Sequence, residues 1–379
     1  MWLYCNLHAV DFNFVIYFFE VGMGEHTEKH RREVSLWLLF MCGLVFVMVI
    51  VGGLTRLTQS GLSMVEWRPI MGILPPIGET GWIEVFEKYK NSPEYQKINY
   101  GMNLSEFKKI FWFEYGHRVL GRIIGMAFFF PFLYFLVKKA IPTNLLPKLV
   151  GLFFLGGMQG VIGWWMVKSG LVDRPDVSHL RLTVHLGMAF LLYVLLLWTG
   201  LTHLRNRPVC KQFKIRYRTG FALIVLVYTT VLSGGLVAGL NAGAQFNTFP
   251  LMAGQWIPSG LYYMEPWYTN IFDNMMTIQF NHRYVAMTTG FLVVCFFAWN
   301  RNIDIGKSGN VARYTMLFMV VIQVSLGIAT LLSAAWLPLA SLHQTGAIVL
   351  LTTVIWTTHE ICYATKAIPT SKKTQNTAK

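Results

Sequence analysis

A glutamate and a histidine three residues apart stand at the start of a long apolar run. In "FWFEYGHRVLGR", residues 111–122, Glu114 precedes His117, and Arg118 follows the histidine directly. Residues at positions i and i+3 share a helix face, so we expect Glu114 to project into the same pocket as His117. Carboxylates in apolar segments are costly, and they mark functional sites by default. The stretch therefore predicts a site with both ligating and acid–base capacity.

A second copy of this pattern surrounds His282, in "MTIQFNHRYVAM", residues 276–287. His282 is again followed by an arginine, Arg283, but Gln279 stands where the first copy has its glutamate. Glutamine fills a similar volume and can hydrogen-bond, yet it cannot accept a proton at neutral pH. This difference indicates a catalytic site beside a structural or electron-relay site. The alternative is that Glu114 only pairs with Arg118 or Arg122.

The composition around these motifs is that of a polytopic membrane protein. Of the 379 residues, 54% are hydrophobic and 13% charged, whereas soluble domains have about 25% charged residues. The net charge of +14 is spread over short loops, which indicates membrane orientation and not a nucleic-acid partner. Eight apolar runs can cross a hydrocarbon core of roughly 30 Å: about 35–57, 112–137, 148–168, 183–204, 217–239, 278–299, 313–332 and 341–363.

The basic residues also predict the direction of these helices. Segments on the same side as the amino terminus carry nineteen Lys and Arg residues, against ten on the opposite side. By the positive-inside rule, both termini are cytoplasmic. The apolar stretch "VDFNFVIYFF" near the amino terminus is too short to span, and no basic residue precedes it. We interpret it as part of a tail and not as a secretory signal.

An internal duplication divides the eight helices into two halves. "VGGLTRL" and "RPIMGILPP" in the first half recur as "SGGLVAGL" and "FPLMAGQWIP" in the second. Each half has a histidine near the start of its second and fourth helices: His117 and His185, then His282 and His343. We therefore predict an all-α fold of two pseudo-symmetric four-helix bundles. The predicted segments are a tail at 1–34, the first half at 35–204, a basic cytoplasmic linker at 205–216, the second half at 217–363 and a tail at 364–379.

The paired histidines indicate haem. Two imidazoles on facing helices at one depth can ligate one iron from opposite sides, and four-helix bundles hold cofactors in this way. Any single histidine could instead be a hydrogen-bonded structural residue, but the shared position and pairing of these four favour ligation. Arg118 and Arg283 lie where haem propionates would reach the outer boundary. Interfacial snorkelling explains the two arginines nearly as well.

These motifs together make the chain resemble haem A synthase, in the type found in alphaproteobacteria and mitochondria. The resemblance covers roughly residues 33–365 and rests on "GGLTRLTQSGLSMVEWRPIMGILPP", "EYGHRVLGR", "LTVHLG", "NTFPLMAGQWIP", "NHRYVA" and "SLHQTGA". It implies an enzyme that oxidises a ring methyl of haem O to a formyl group by two successive hydroxylations and loss of water. Some bacterial members have a cysteine pair in the first outer loop, and this sequence has none between Thr58 and Ile110.

The resemblance also implies a role for each site residue. A tightly held haem B belongs to the second half, with His282 and His343 as iron ligands and Arg283 nearby. The substrate haem O belongs to the first half, with His117 and His185 as ligands and Arg118 nearby, and Glu114 matches the essential acidic residue. No cysteine lies near an outer helix end to supply a thiolate, so water is the expected oxygen source and the second haem the expected electron carrier.

The expected location is the bacterial inner membrane, which the chain would cross several times. Candidate partners are haem O synthase, cytochrome oxidase assembly factors and a second copy of the chain. Two other functions stay open at this point: a di-haem b-type electron-transfer cytochrome, and a haem transporter or chaperone. The enzyme requires the Glu114 carboxylate, whereas the cytochrome would tolerate glutamine there because Gln279 already fills the twin position.

Overall fold

The computed structural model describes residues 28–66, 74–172 and 175–364, and these ranges are helical apart from their connecting segments. One isolated antiparallel bridge, Met252–Gln255, is the only strand-like pairing within them. Most of both predicted tails lies outside the described residues. The helices are α1 (Glu28–Leu57), α2 (Gly78–Lys90), α3 (Pro93–Lys97), α4 (Leu104–Val137), α5 (Leu146–Lys168), α6 (His179–Arg205), α7 (Lys214–Gly239), α8 (Thr269–Asp273), α9 (Met275–Asn300), α10 (Gly306–Leu332) and α11 (Leu337–Cys362).

Among the described residues, seven helices are long and apolar enough to cross a membrane: α1, α4, α5, α6, α7, α10 and α11. This confirms a multi-pass helical membrane protein. The remaining long helix, α9, has 26 residues. Its first turns are polar because they contain Thr277, Gln279, Asn281, His282 and Arg283, which lowers its mean hydropathy.

The long helices pack as two sets of four. In the first set α1 contacts α4 and α6, while α5 contacts the same two helices. In the second set α7 contacts α9 and α11, while α10 contacts the same two. The sets meet through α1, α6, α7 and α11, where most of the buried apolar side chains lie. The histidine-bearing helices α4 and α9 are therefore at the periphery, while α6 and α11 are central.

Two pairs of adjacent glycines, Gly52–Gly53 in α1 and Gly234–Gly235 in α7, bring helices of different sets close together. A Cβ on Gly235 would lie 3.1 Å from the Thr183 hydroxyl of α6. Gly53 faces the side-chain amide of Gln344 on α11, and that amide donates a hydrogen bond to the Val49 carbonyl at 2.7 Å. The second glycine of each pair thus contacts the fourth long helix of the other set, as expected for small residues at membrane helix interfaces.

The described part of the segment between α1 and α4 forms a cap on the amino-terminal end of α4. Its aromatic side chains pack with the first turns of α4 in one buried cluster, which consists of Phe86, Tyr89, Phe107 and Phe111. Glu94 is 4% exposed and accepts a hydrogen bond from the Tyr89 hydroxyl at 3.0 Å. Burial in this cap raises the pKa of Glu94 to about 7. The helix α4 itself begins with a capping box formed by Asn103 and Glu106, several residues before the predicted span.

The opposite end of the molecule has a buried polar group that joins α6, α10 and α11. Glu360 is 6% exposed and forms an ion pair with Arg205. The Ser308 hydroxyl donates to the same carboxylate oxygen at 2.8 Å, and the Trp356 indole does so at 3.1 Å. The carboxylate therefore connects three helices through one acceptor.

Candidate functional site

Each of the four repeated histidines packs against a glycine of the preceding long helix. A Cβ built on any of these glycines would lie 3.0–3.2 Å from the nearest ring atom, inside the usual carbon contact distance of about 3.5–4.0 Å. A larger residue would therefore displace the ring. The pairs are Gly52–His117, Gly163–His185, Gly234–His282 and Gly327–His343.

The four rings form the two pairs that the sequence predicts. His117 is close enough to His185 to interact with it electrostatically, and His282 is close enough to His343. All four histidines are residues of intermediate exposure. Within the described ranges, no group of three or more His, Cys, Asp or Glu residues could hold a metal ion. Two imidazoles per site suit an iron macrocycle with two axial positions, whereas a bare tetrahedral ion takes three or four protein ligands.

In the carboxy-terminal half both rings are contacted at Nδ1. The Ser233 hydroxyl lies 2.8 Å from Nδ1 of His282 and donates to the Thr230 carbonyl, also at 2.8 Å. The Gln323 amide nitrogen lies 3.1 Å from Nδ1 of His343 and donates to the backbone carbonyl of His343 at 3.0 Å. No hydrogen bond among the described residues involves Nε2 of either ring. For His282 this leaves Nε2 free to bind iron, whereas the Gln323 amide nitrogen can only donate to Nδ1 of His343, which places the proton of that neutral ring on Nε2.

The amino-terminal half lacks these contacts. Val51 occupies the position in "VGGL" that Ser233 occupies in "SGGL". Both amide atoms of Gln159 and Nδ1 of His185 are buried without a partner in the part of the chain that the structure describes. The ring of His117 is also turned, since Nε2 faces Gly52 whereas Cε1 faces the glycine in the other three pairs. The two halves thus share a ligand arrangement but differ in how firmly the rings are held.

Glu114 is 3% exposed and is bound to the segment that follows α1. Oε2 accepts hydrogen bonds from the Ser63 hydroxyl and the Met64 backbone N–H, both at 2.7 Å. Oε1 accepts a hydrogen bond from Arg118 at 2.5 Å, so Glu114 does form an ion pair with Arg118. No hydrogen bond joins Glu114 to His117 among the described residues. Three donors therefore occupy the carboxylate, two on Oε2 and one on Oε1, which leaves one acceptor site on Oε1.

The twin position repeats this connection without the charge. Gln279 donates to the Ala242 carbonyl at 2.9 Å and accepts from Arg283 at 3.0 Å. In both halves, the side chain three residues before the histidine therefore holds the segment after the first helix. The arginines reinforce it by donating to backbone carbonyls, Arg118 to Met64 and Glu66 and Arg283 to Phe246, Thr248 and Leu251. Contact of either arginine with a propionate stays a prediction.

Sequence reasoning did not identify five residues of this arrangement: Gly163, Gly327, Gln159, Gln323 and Ser233. A signal for four of them exists in "QGVIG", residues 159–163, and "QVSLG", residues 323–327. A glutamine four residues before a glycine puts both on one helix face, in the third long helix of each half. Ser233 has no such signal, since it lacks a counterpart and a serine in an apolar helix usually bonds to its own backbone.

The described cysteines take no part in the site. Cys42, Cys210, Cys295 and Cys362 are free thiols, and the two helices of the cap, α2 and α3, contain no cysteine. This agrees with the absence of a loop cysteine pair in the sequence. Chemistry at the site therefore falls to histidine, carboxylate and amide groups.

The fold and the site define a multi-pass helical membrane protein with one histidine pair in each half. The chain belongs to the COX15-CtaA family of cytochrome oxidase assembly proteins, whose family model matches residues 35–355. It is 51% identical over 334 residues to a heme A synthase of Nitrosospira multiformis, covering 87% of this chain and 94% of that protein. It is 46% identical over 331 residues to a heme A synthase of Rhodospirillum centenum, covering 86% and 88%. The resemblance stated from the motifs is thereby confirmed.

Proposed function

We propose that the protein is a haem A synthase, which oxidises a ring methyl of haem O to a formyl group. The proposal rests on one observation, a side-chain difference between two otherwise matched sites. Glu114 provides a buried carboxylate beside His117, while Gln279 fills the same position beside His282. A protein that only carries electrons or macrocycles has no need for this difference. The names of the relatives support the same activity.

The proposed architecture has eight spans, with α9 as the eighth, in two pseudo-symmetric bundles. Both termini are on the cytoplasmic side of the bacterial inner membrane, because the basic residues concentrate there. The glycine–histidine contact repeated four times supports this symmetry. Contacts with haem O synthase, with oxidase assembly factors and with a second copy of the chain belong to the same proposal.

The resident haem B is held between His282 and His343, and the substrate haem O between His117 and His185. The donor sets fit, since each half has two histidines of intermediate exposure on facing helices. When bound, haem B would serve as a one-electron carrier. Arg283 and Arg118 directly follow their respective histidines, where a guanidinium group suits the carboxylates of a haem.

The reaction balances with water as the oxygen source. The first hydroxylation converts the methyl and one water to an alcohol, releasing two electrons and two protons to an external electron acceptor. The second does the same and gives a geminal diol, which loses water to leave the formyl group. Glu114 takes the proton from the attacking water or from the alcohol. General-base catalysis of this kind contributes roughly 10²–10⁴-fold.

Glu114→Gln tests the function in membranes that also contain a haem O synthase. We expect the haem composition after acid extraction and chromatography to show haem O and haem B without haem A. Glu106→Gln is the matched control, because Glu106 lies on the same helix in an exposed capping position. Haem A production in the Glu114→Gln membranes at the control level would contradict the proposed role. Equal loss of haem from His117→Ala and His282→Ala proteins would indicate a transporter instead.

A further inference from the structure

The hydroxyl of Ser233 determines which nitrogen of His282 carries the proton. A serine hydroxyl has one hydrogen, and this one is donated to the Thr230 carbonyl at 2.8 Å. The oxygen can then only accept from the ring nitrogen that lies 2.8 Å away. With the hydroxyl hydrogen on the Thr230 carbonyl, Nδ1 of His282 bears the proton and Nε2 keeps its lone pair. A ring in this state is ready to bind iron before any haem arrives.

The same contact also prevents the ring from turning. Rotation of His282 by half a turn would move Nδ1 away from Ser233 and leave the hydroxyl oxygen without its donor. Partners of this kind on the far nitrogen of a ligating histidine fix its orientation and raise its basicity. Both effects strengthen the bond to a ferric haem in the carboxy-terminal half.

Val51 has no polar side-chain atom with which to hold His117. The ring of His117 is the one that is turned, with Nε2 3.2 Å from the position of a Cβ on Gly52. A haem that binds to His117 must first turn this ring, and nothing opposes the return when the haem leaves. The fourth helices differ in restraint alone, because the Gln323 amide nitrogen donates to Nδ1 of His343 and so holds the ring without freeing Nε2, whereas Gln159 and Nδ1 of His185 are unpaired among the described residues.

We propose that Ser233 is a positioning residue that makes the carboxy-terminal haem permanent, and that Val51 makes the amino-terminal haem exchangeable. This inference rests on the proposed function, in which one macrocycle stays while another enters as substrate and leaves as product. Ligand identity cannot separate the two sites, because both use two histidines. The restraint on the histidines supplies the difference.

An exchange of these two side chains tests the proposal in purified protein reconstituted in nanodiscs. For Ser233→Val we expect haem B to transfer to excess apomyoglobin roughly 10–100-fold faster than from the unmodified protein. The midpoint potential of that haem should rise, because a less basic imidazole stabilises the ferric state less. Ser233→Thr keeps a hydroxyl and should restore both values. Thr229→Val removes an exposed hydroxyl from the same helix and should change neither.

Val51→Ser is the reciprocal change. With haem O bound, we expect slower transfer to apomyoglobin and, in turnover, a lower KM together with a lower kcat, because the product also leaves slowly. Unchanged haem B transfer and an unchanged midpoint potential in a folded Ser233→Val protein would overturn the proposal. That result would leave the proposed function standing if the unmodified protein still makes haem A. If Ser233→Val speeds haem B transfer but the unmodified protein makes no haem A, the role of Ser233 stands and the proposed function fails.

Discussion

Gly234→Ala adds one methyl group against a ligand ring and nothing else. Its Cβ would lie 3.1 Å from Cε1 of His282, which is about 0.5 Å closer than ordinary contact. The ring cannot simply turn aside because Ser233 binds its Nδ1. Overpacking of this kind costs roughly 1–3 kcal/mol, and the gain in helix propensity offsets about 1 kcal/mol. A net cost of up to about 2 kcal/mol corresponds to roughly 30-fold weaker binding of haem B.

The measurement is the ratio of haem to protein after purification, followed by the rate of haem transfer to apomyoglobin. Gly43→Ala is the matched control, because it also lies in a long helix and a Cβ there would meet nothing within 4 Å. It should keep its full haem content. Equal haem content and equal transfer rates in two folded variants would show that the glycine contact does not constrain His282, and the reasoning from ring geometry would be refuted.

Two further predictions concern stability. The pKa of Glu94 is raised by burial to about 7, so the cap is most stable below about pH 4, where Glu94 is protonated whether the cap is folded or not. It loses up to about 3 kcal/mol as the pH rises from about 4 through 7; the amide protection factors in α2 and α3, which correct for the intrinsic pH dependence of exchange, should be lower at pH 8 than at pH 5, and Glu94→Gln should remove most of this difference. Glu360→Ala leaves Arg205, Ser308 and Trp356 without their shared acceptor, which should cost about 1–3 kcal/mol per buried group left unpaired. A thermal unfolding midpoint equal to that of an exposed control, Glu84→Ala, would contradict this.

Sequence reasoning was most effective where one pattern occurred twice. The four histidines could be found because each occupies the same place in a duplicated helix order, and the structure brings them together as two pairs. The glycine pairs were recognised for the same reason. The different contacts of the two glycines in each pair were not predicted. Only the folded chain shows that Gly52 and Gly234 face histidines while Gly53 and Gly235 face the other half.

The direction of a side chain was harder to predict than its helix face. Sharing a face with His117 leaves Glu114 free to point along the helix, and the nearest donors lie at Ser63 and Met64, in a segment whose path the sequence does not define. The cap formed by α2 and α3 was open for a related reason. Its aromatic residues could equally have served a partner, and their burial against α4 depends on contacts between residues distant in the chain.

The neighbouring residues His343 and Gln344 fix the register of α11 against two other helices. His343 contacts Gly327 within its own half, and Gln344 reaches across to the Val49 carbonyl of α1. One residue inserted before them would rotate both by about 100° and remove both contacts at once. Four inserted residues would return the facing to within about 40°, yet they would move the ligand about 6 Å along the helix axis. The amino-terminal end of α11 therefore has a fixed length as far as His343 and Gln344.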